Sequence, residues 1–540
     1  MRVELSSGHA EAVNRRRRVT VQYDAHGQMG ADLREWLDFR FAYIDQPGAQ
    51  VDCVCWDIGA GSWAVYPSEV LPRFEHPGLR IWWDQGVDWV AELVRETHQR
   101  GLEAFWNQRV SEVDISPTPE LEPGHRLMMD QMNPVKREHP EWVIKTWWWQ
   151  GLWNYACPEL REYQLAILRE IALKYDLDGF QLDFARHIPC LPPGRQWELR
   201  GEVTQFVGMV RGMLQEIAGK RGRPYLLAAR IPETIEGCRA DGFDVGTWAR
   251  EGLVDILTLG TRSMNVDIEA FARETAGCNV KLQPCFDDHH ATDGYRFQGI
   301  EFLRGVFANW WARGAHGVAT FNWANASPEM CEGYITRRWQ RGSFNEGEHG
   351  AQGQAYLEIG SPGSLAGKSK VFAVERRGGY PWAEGYFNHN AGAPLPLTLR
   401  DDGSAVCLDL HLSDPVRDLA DTVERVALRA VVFGAREGDR FGARLNGVEL
   451  ECIAEGHGWK DPQIFSPAPQ PPSGGSGEYP VNPDQRLLRV DFAVPAAACN
   501  AGWNRAELRT DARVPYVAQE IALEKLELHL EYGEGSTGGC

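Results

Sequence analysis

Residues 178–187 read DGFQLDFARH. Apart from Gln181 and Asp183 the centre of this stretch is apolar, and it ends in Arg186 and His187. Successive side chains of a strand point to opposite faces. Phe180, Leu182 and Phe184 therefore share one face, and Gln181 and Asp183 share the other. The apolar face suits a layer of helices, which leaves the polar face turned into the interior of a closed sheet. The same design, a short apolar run ending in polar residues, recurs at 18–27, 51–59, 102–110, 224–233, 254–261, 280–290 and 316–325. Together these make eight strands.

Helical patterns alternate with the strands. Residues 87–101 carry Val87, Val90, Leu93 and Val94 at helical spacing and stop at Gly101. Residues 157–175 place Pro158 in a first turn, with acids near the start. Segments 198–219, 267–276 and 297–313 also read as helices, and 236–252 more weakly. Eight such units predict a (β/α)8 TIM barrel. The competing open, doubly wound sheet usually carries a glycine-rich phosphate turn after its first strand. YDAHGQMG (23–30) has no such turn, so the barrel is preferred. Two insertions, 60–84 and 111–157, follow the second and third strands and so fall on the face where the strands end.

Beyond about residue 340 the pattern changes. Period-2 segments follow at 369–377, 404–414, 423–434, 440–453, 486–495, 504–513 and 521–532. Asn446-Gly447 supplies a hairpin signal, and 466–483 is a loop rich in Pro, Gly and Ser. We expect a barrel domain over 1–340 and an all-β sandwich of jelly-roll type over 341–540.

The chain has 540 residues and a formal net charge of −19. That charge argues against nucleic acid or an anionic membrane as partner. No run approaches the roughly 20 apolar residues of a membrane span. The opening residues lack a signal-peptide core, and Arg15–Arg18 read as a solvated lead-in to the first strand. A cytoplasmic location is expected. The 12 cysteines include no C-x-x-C pair, so reduced, mostly buried thiols are expected, with no cofactor and no bound metal. Homo-oligomer formation is left open.

Polar side chains concentrate where the strands end. They are Asp24 and His26, Asp57, Asn107 and Arg109, then Asp183, Arg186 and His187, then Arg230 and Glu233, then Asp287–His290, and finally Asn322 and Trp323. Buried polar groups need partners, so this clustering points to a site. Asp183 faces the interior, Asp287 shares a face with Gln283 and Cys285, and Glu233 lies just past the adjacent strand. With neighbouring strands about 4.8 Å apart, Asp183 and Glu233 are within reach of a nucleophile–acid separation of about 5 Å. Glycoside hydrolysis needs such a pair, one carboxylate ionised and one carboxyl protonated. Arg186, His187 and Arg230 are the cations that favour an ionised Asp183. The alternative for Asp183 is a purely structural salt bridge with Arg186.

Of the 21 tryptophans, several fall near this face: Trp56, Trp106, Trp147–Trp149, Trp153 and Trp323. Indole rings pack against sugar C–H faces, and consecutive residues of the WWW run cannot all face one core. Substrate contacts are expected from Asp24, Asp57, Asn107, Trp149, Arg186, His187, Arg230, Asp288, Asn322 and Trp323. Two rival readings stand: a metal-dependent hydrolase built on FDDHH (286–290), and a non-catalytic sugar-binding barrel.

LDGFQLDFARHIP (177–189) resembles the DG(I/F)xxDxxR(Y/H)P pattern of glycosyl-hydrolase-like barrels in the broad α-galactosidase and α-amylase superfamily. It is similar above all to the bacterial group labelled family-10-like glycosyl hydrolases. The α-amylase pattern GFRxDxxxH also matches at Gly179, Phe180, Asp183 and His187, although the amylase element DxxxNH is lacking. The resemblance implies Asp183 as nucleophile, Glu233 as acid/base, Asp287 or Asp288 as transition-state stabiliser, and a retaining outcome.

Overall fold

The computed structural model describes residues 5–24, 32–58, 62–74, 77–111, 133–146, 150–260, 263–286, 298–321, 323, 351–376, 393–461, 487–515 and 519–533. Eight parallel strands close into a barrel: β1 (Val19–Asp24), β2 (Val51–Asp57), β3 (Glu103–Arg109), β4 (Gly179–Asp183), β5 (Leu226–Ile231), β6 (Ile256–Leu259), β7 (Lys281–Phe286) and β8 (Val318–Phe321). Each pairs with its sequence neighbours, and β1 pairs with β8 to close the ring. The eight expected segments all carry a strand.

Alternation along β4 is as expected. Phe180 packs on Tyr225, and Phe184 packs on Phe243 and Trp248 in the helix layer. Gln181 faces inward, where it donates to Asn107 Oδ1 (2.8 Å) and accepts from Thr258 Oγ1 (2.9 Å). Gln283 of β7 is likewise internal and accepts from Thr20 Oγ1. The weak helical segment 236–252 is two short helices, Ile235–Asp241 and Val245–Arg250, separated at Gly242. The insertion after β3 carries a short ribbon of Val143–Ile144 and Leu152–Trp153.

One expectation holds only in part at the N-terminus. Arg15 and Arg16 are exposed, whereas Arg17 is buried and Arg18 half-buried. A helix, Ser7–Asn14, lies beneath the barrel, with Val13 among Cys53, Phe105, Leu226 and Ile256 near the strand starts. The buried Arg17 reaches Glu103 at 2.5 Å, and Arg18 reaches Asp52 at 2.7 Å. The acids that begin β2 and β3 need these cations, and the run supplies them.

Beyond the barrel, residues 351–365 still contribute to the barrel core, through Ala355, Tyr356, Ile359 and Leu365. The expected boundary at 340/341 lies outside the described residues. A second core begins at Phe372. It is enclosed by two antiparallel sheets built from β9 (Lys370–Ala373), β10 (Leu397–Leu399), β11 (Val406–Leu412), β12 (Val423–Phe433), β13 (Arg440–Leu445), β14 (Val448–Glu449), β15 (Glu451–Trp459), β16 (Leu487–Ala493), β17 (Gly502–Ala512) and β18 (Ile521–Tyr532). One sheet has the order β9-β18-β12-β16-β15 with β10 beside β18, and the other β11-β17-β13-β14. Leu428, Ala430 and Val432 of the first meet Leu408, Leu410 and Leu508 of the second in one apolar cluster, which makes the pair a β-sandwich.

The sandwich docks on the helix Ile300–Ala312 of the barrel. A side-chain carbon at Gly305 would fall 1.9 Å from the Val371 carbonyl oxygen, so the helix and β9 approach this closely only because residue 305 is glycine. Asn309 donates to the His411 carbonyl (2.8 Å) and Arg304 to the Ser369 carbonyl (3.3 Å) across the same contact region. The cysteines described are all free thiols. Among the described residues no helix is long and apolar enough to cross a membrane.

Candidate active site

Asp183 ends β4, in register with Arg109 on β3 and Arg230 on β5. The register decides its partner. Arg230, fully buried, forks the carboxylate with Nε to Oδ1 at 2.9 Å and Nη2 to Oδ2 at 2.5 Å. The amides of Ala185 and Arg186 each donate to Oδ1 at 3.1 Å, and Asn107 Nδ2 lies 3.5 Å from Oδ2. Every neighbour is a donor, as an acceptor-only carboxylate requires. The sequence-adjacent Arg186 thus serves Asp183 through its backbone, and the side-chain ion pair belongs to Arg230.

A second ion pair lies beside the first. Arg109 Nε reaches Asp57 Oδ2 at 2.6 Å, and Asn107 Nδ2 stands 3.3 Å from the same oxygen. Asn107 bridges the two carboxylates, and its own oxygen is held by Gln181. Asp24 ends β1 in register with Asp57. The structure therefore gathers Asp57, Asn107, Asp183 and Arg230 at one level of the barrel, at its C-terminal mouth. The Arg230 guanidinium also lies 3.9 Å from the centre of the Phe321 ring, and that of Arg186 5.9 Å from it. His187 is buried and adopts a left-handed backbone, φ 60°. Such a conformation is unusual for a residue with a side chain and concentrates at functional positions.

Glu233 follows Pro232, past the end of β5, and is 1% exposed. It lies three residues beyond Arg230, which is a displacement of up to about 10 Å along the strand direction. Its side chain rests against Gly260, where an added carbon would sit 3.0 Å from Glu233 Cβ. Its carbonyl accepts from the Asp267 amide at 3.0 Å. Two more acids share this neighbourhood. Burial, with the Glu233 charge added, pushes the Asp241 carboxyl well above the usual carboxylate range. Burial pushes Glu375 up to about 8, with a further push from Glu233 against the lowering effect of the Ser263 hydroxyl.

Glu375 was not anticipated. It bears the signal that marked Asp183, an acid at the end of an apolar strand, but it lies in the β-rich half, far along the chain from the barrel strands. Trp323 stands apart from the gathered residues. It is fully buried, with its ring on Phe307 and Tyr356. Trp56, Trp106 and Trp153 are also core residues, and Trp153 donates to Ser62 Oγ at 3.0 Å. The side chain of Asp24, together with Trp149, Asp287, Asp288 and Asn322, lies outside the described residues. So do His289 and His290, and with them the cluster on which the metal reading rests. Among the described residues no three His, Cys, Asp or Glu side chains are grouped as a metal site would need.

Comparison with known proteins accords with the fourth-strand pattern. Residues 42–191 match the model of the family described as Glycosyl hydrolase-like 10. The matched span includes β2, β3, β4 and therefore Asp57, Asn107 and Asp183. The chain is 23% identical over 269 residues to glycosyl hydrolase DigH of Escherichia coli O6:H1 (strain CFT073), a match covering 48% of this chain and 58% of that protein. Glycosyl hydrolase YngK of Bacillus subtilis (strain 168) is 28% identical over 125 residues, 22% of each chain. The chain thus spans under two thirds of the length of the curated relatives it matches. Among solved structures, the glycoside hydrolase domain of PgaB (BpsB) from Bordetella bronchiseptica aligns with a TM-score of 0.37 and 12% identity, over 64% of this chain and 99% of that one.

Proposed function

We propose that the protein is a glycoside hydrolase whose chemistry lies at the C-terminal mouth of the barrel. The observation that carries this reading is Asp183. It is a fully buried carboxylate at the end of a barrel strand, fixed by a guanidinium fork and two amides, within the span matched by the glycosyl-hydrolase-like family. Asp183 is the nucleophile or the ionised group that stabilises an oxocarbenium-like transition state. Glu233, buried just past the end of the strand beside that of Asp183, is the acid/base that serves the leaving oxygen. Asp287 or Asp288 orients sugar hydroxyls. Asp57, Asn107 and Arg230 keep the charges in place, Arg186 and His187 line the mouth, and the partner is a carbohydrate.

The test is turnover of a panel of aryl glycosides. Asp183→Asn is expected to lower kcat/KM by at least about a thousandfold, with the fold checked by circular dichroism. Glu233→Gln is expected to lower turnover least for substrates with the best leaving groups, because these need no proton. Proton NMR of the first-formed sugar distinguishes retention, which the superfamily resemblance favours, from inversion. Unchanged turnover in Asp183→Asn would remove Asp183 from catalysis. Sugar binding without any turnover would favour the non-catalytic barrel.

A further inference from the structure

The β-rich half sends one buried carboxyl to a loop that also holds the candidate acid. Glu375 belongs to the segment that continues β9 of the sandwich, yet it is buried and its carboxyl accepts from the Ser263 hydroxyl in the loop after β6. That loop is gripped at several points. Trp310 Nε1 donates to the Met264 carbonyl at 3.0 Å, the Asn265 amide donates to Ser263 Oγ at 3.2 Å, and the Asp267 amide donates to the Glu233 carbonyl at 3.0 Å. One short segment, Ser263–Asp267, is thus tied to Glu375 at one end and to Glu233 at the other. β9 in turn is held on the barrel by the close contact at Gly305.

We infer that Glu375, a side chain of the β-sandwich, is a positioning residue for Glu233, acting through the Ser263–Asp267 segment. The inference rests on the reading of Glu233 as the acid/base. Several groups among the described residues face this pair. Glu375 meets Ser263 and the backbone amides of Met264 and Asn265, with Glu233 beyond them. Glu233 meets Asp241 and Cys238 on the helix Ile235–Asp241. The neighbouring cation, Arg376, is engaged by Glu524 at 2.7 Å. Among the described residues neither oxygen of Asp241 accepts a hydrogen bond, in keeping with a carboxyl held neutral by burial and by Glu233. Burial above all pushes the Glu375 carboxyl up to about 8. As pH rises through that value the proton leaves, and the Ser263 hydroxyl is held by a carboxylate instead of a neutral carboxyl.

The experiment uses the full chain labelled with 13C at the glutamate side-chain carboxyl. The expected spectrum holds a resonance that titrates near pH 8, is missing in Glu375→Gln, and moves down by about one pH unit in Glu233→Gln, where the facing charge is gone. In parallel, kcat on whichever aryl glycoside is cleaved shows a step near pH 8 that is missing in Glu375→Gln. A Glu375 resonance titrating in the ordinary carboxylate range, or one unmoved by Glu233→Gln, overturns the pairing. This arm reads unmodified protein and the Glu233 variant, so it survives if Glu375→Gln folds poorly. Superimposable pH profiles of unmodified protein and Glu375→Gln overturn the positioning role. Retained turnover in Glu233→Gln with the resonance shift intact overturns the assignment of Glu233 as acid/base while upholding the carboxyl pair.

Discussion

At the scale of single residues, the Asp183–Arg230 pair dominates the site. Both side chains are fully buried, so removing one leaves the other as an uncompensated charge. Arg230→Met is expected to cost about 3–5 kcal/mol in urea unfolding. The double variant Asp183→Leu/Arg230→Met should recover most of that loss, and a double-mutant cycle with no coupling would contradict the pairing. His187 offers a second check. Its positive φ is costly for any residue with a side chain and free for glycine. His187→Gly should therefore be more stable than His187→Ala by about 1 kcal/mol, the reverse of their usual order. Alternation alone made the inward face of Asp183 legible. Its partner was not legible, because Arg186 is close in sequence whereas Arg230 is close only through the β4–β5 register, which is set by the stagger of the whole barrel.

At the scale of elements, strands were easier to read than helices. Each barrel strand is buried on both faces, so it appears as a short apolar run with polar ends. The helix Ser7–Asn14 gave little signal. It has eight residues and only His9 and Val13 buried, too few for a period to show. Its importance lies in what it covers. His9 and Arg211 meet Asp255 at 2.9 and 2.7 Å, and Arg211 leads in holding that carboxyl below its usual range despite burial. Val13 fills the space between strand starts. Val13→Ala is expected to cost about 2 kcal/mol in urea unfolding. A cost under about 0.5 kcal/mol would mark the helix as a fraying terminus. β10 also escaped the reading, since Leu397–Leu399 is three residues long and carries no alternation to detect.

At the scale of the whole molecule, the barrel and the sandwich are joined by a contact that is itself sensitive to acid. His411 of β11 lies against the barrel helix, with its ring 3.1 Å from Asn309 Oδ1. Burial, aided by Arg313, lowers it to about 4. Its folded value lies below its unfolded one, so its contribution to stability is complete above about pH 6.5 and is lost as pH falls toward 4. His411→Gln should flatten the fall in Tm between those values, measured by calorimetry against the unmodified protein. The same topology sets a schedule for synthesis. Val19 of β1 pairs with Val318 of β8, so the first strand made waits for the last before the ring can shut. At ordinary translation speeds of about 5–20 residues per second, that wait is roughly 15–60 s. Throughout it an emerging chain displays an open strand edge, the surface on which nascent polypeptides stick to one another. Fragments that stop short of residue 318 are accordingly expected to precipitate or to be retained by chaperones, however well their individual helices and strands have formed.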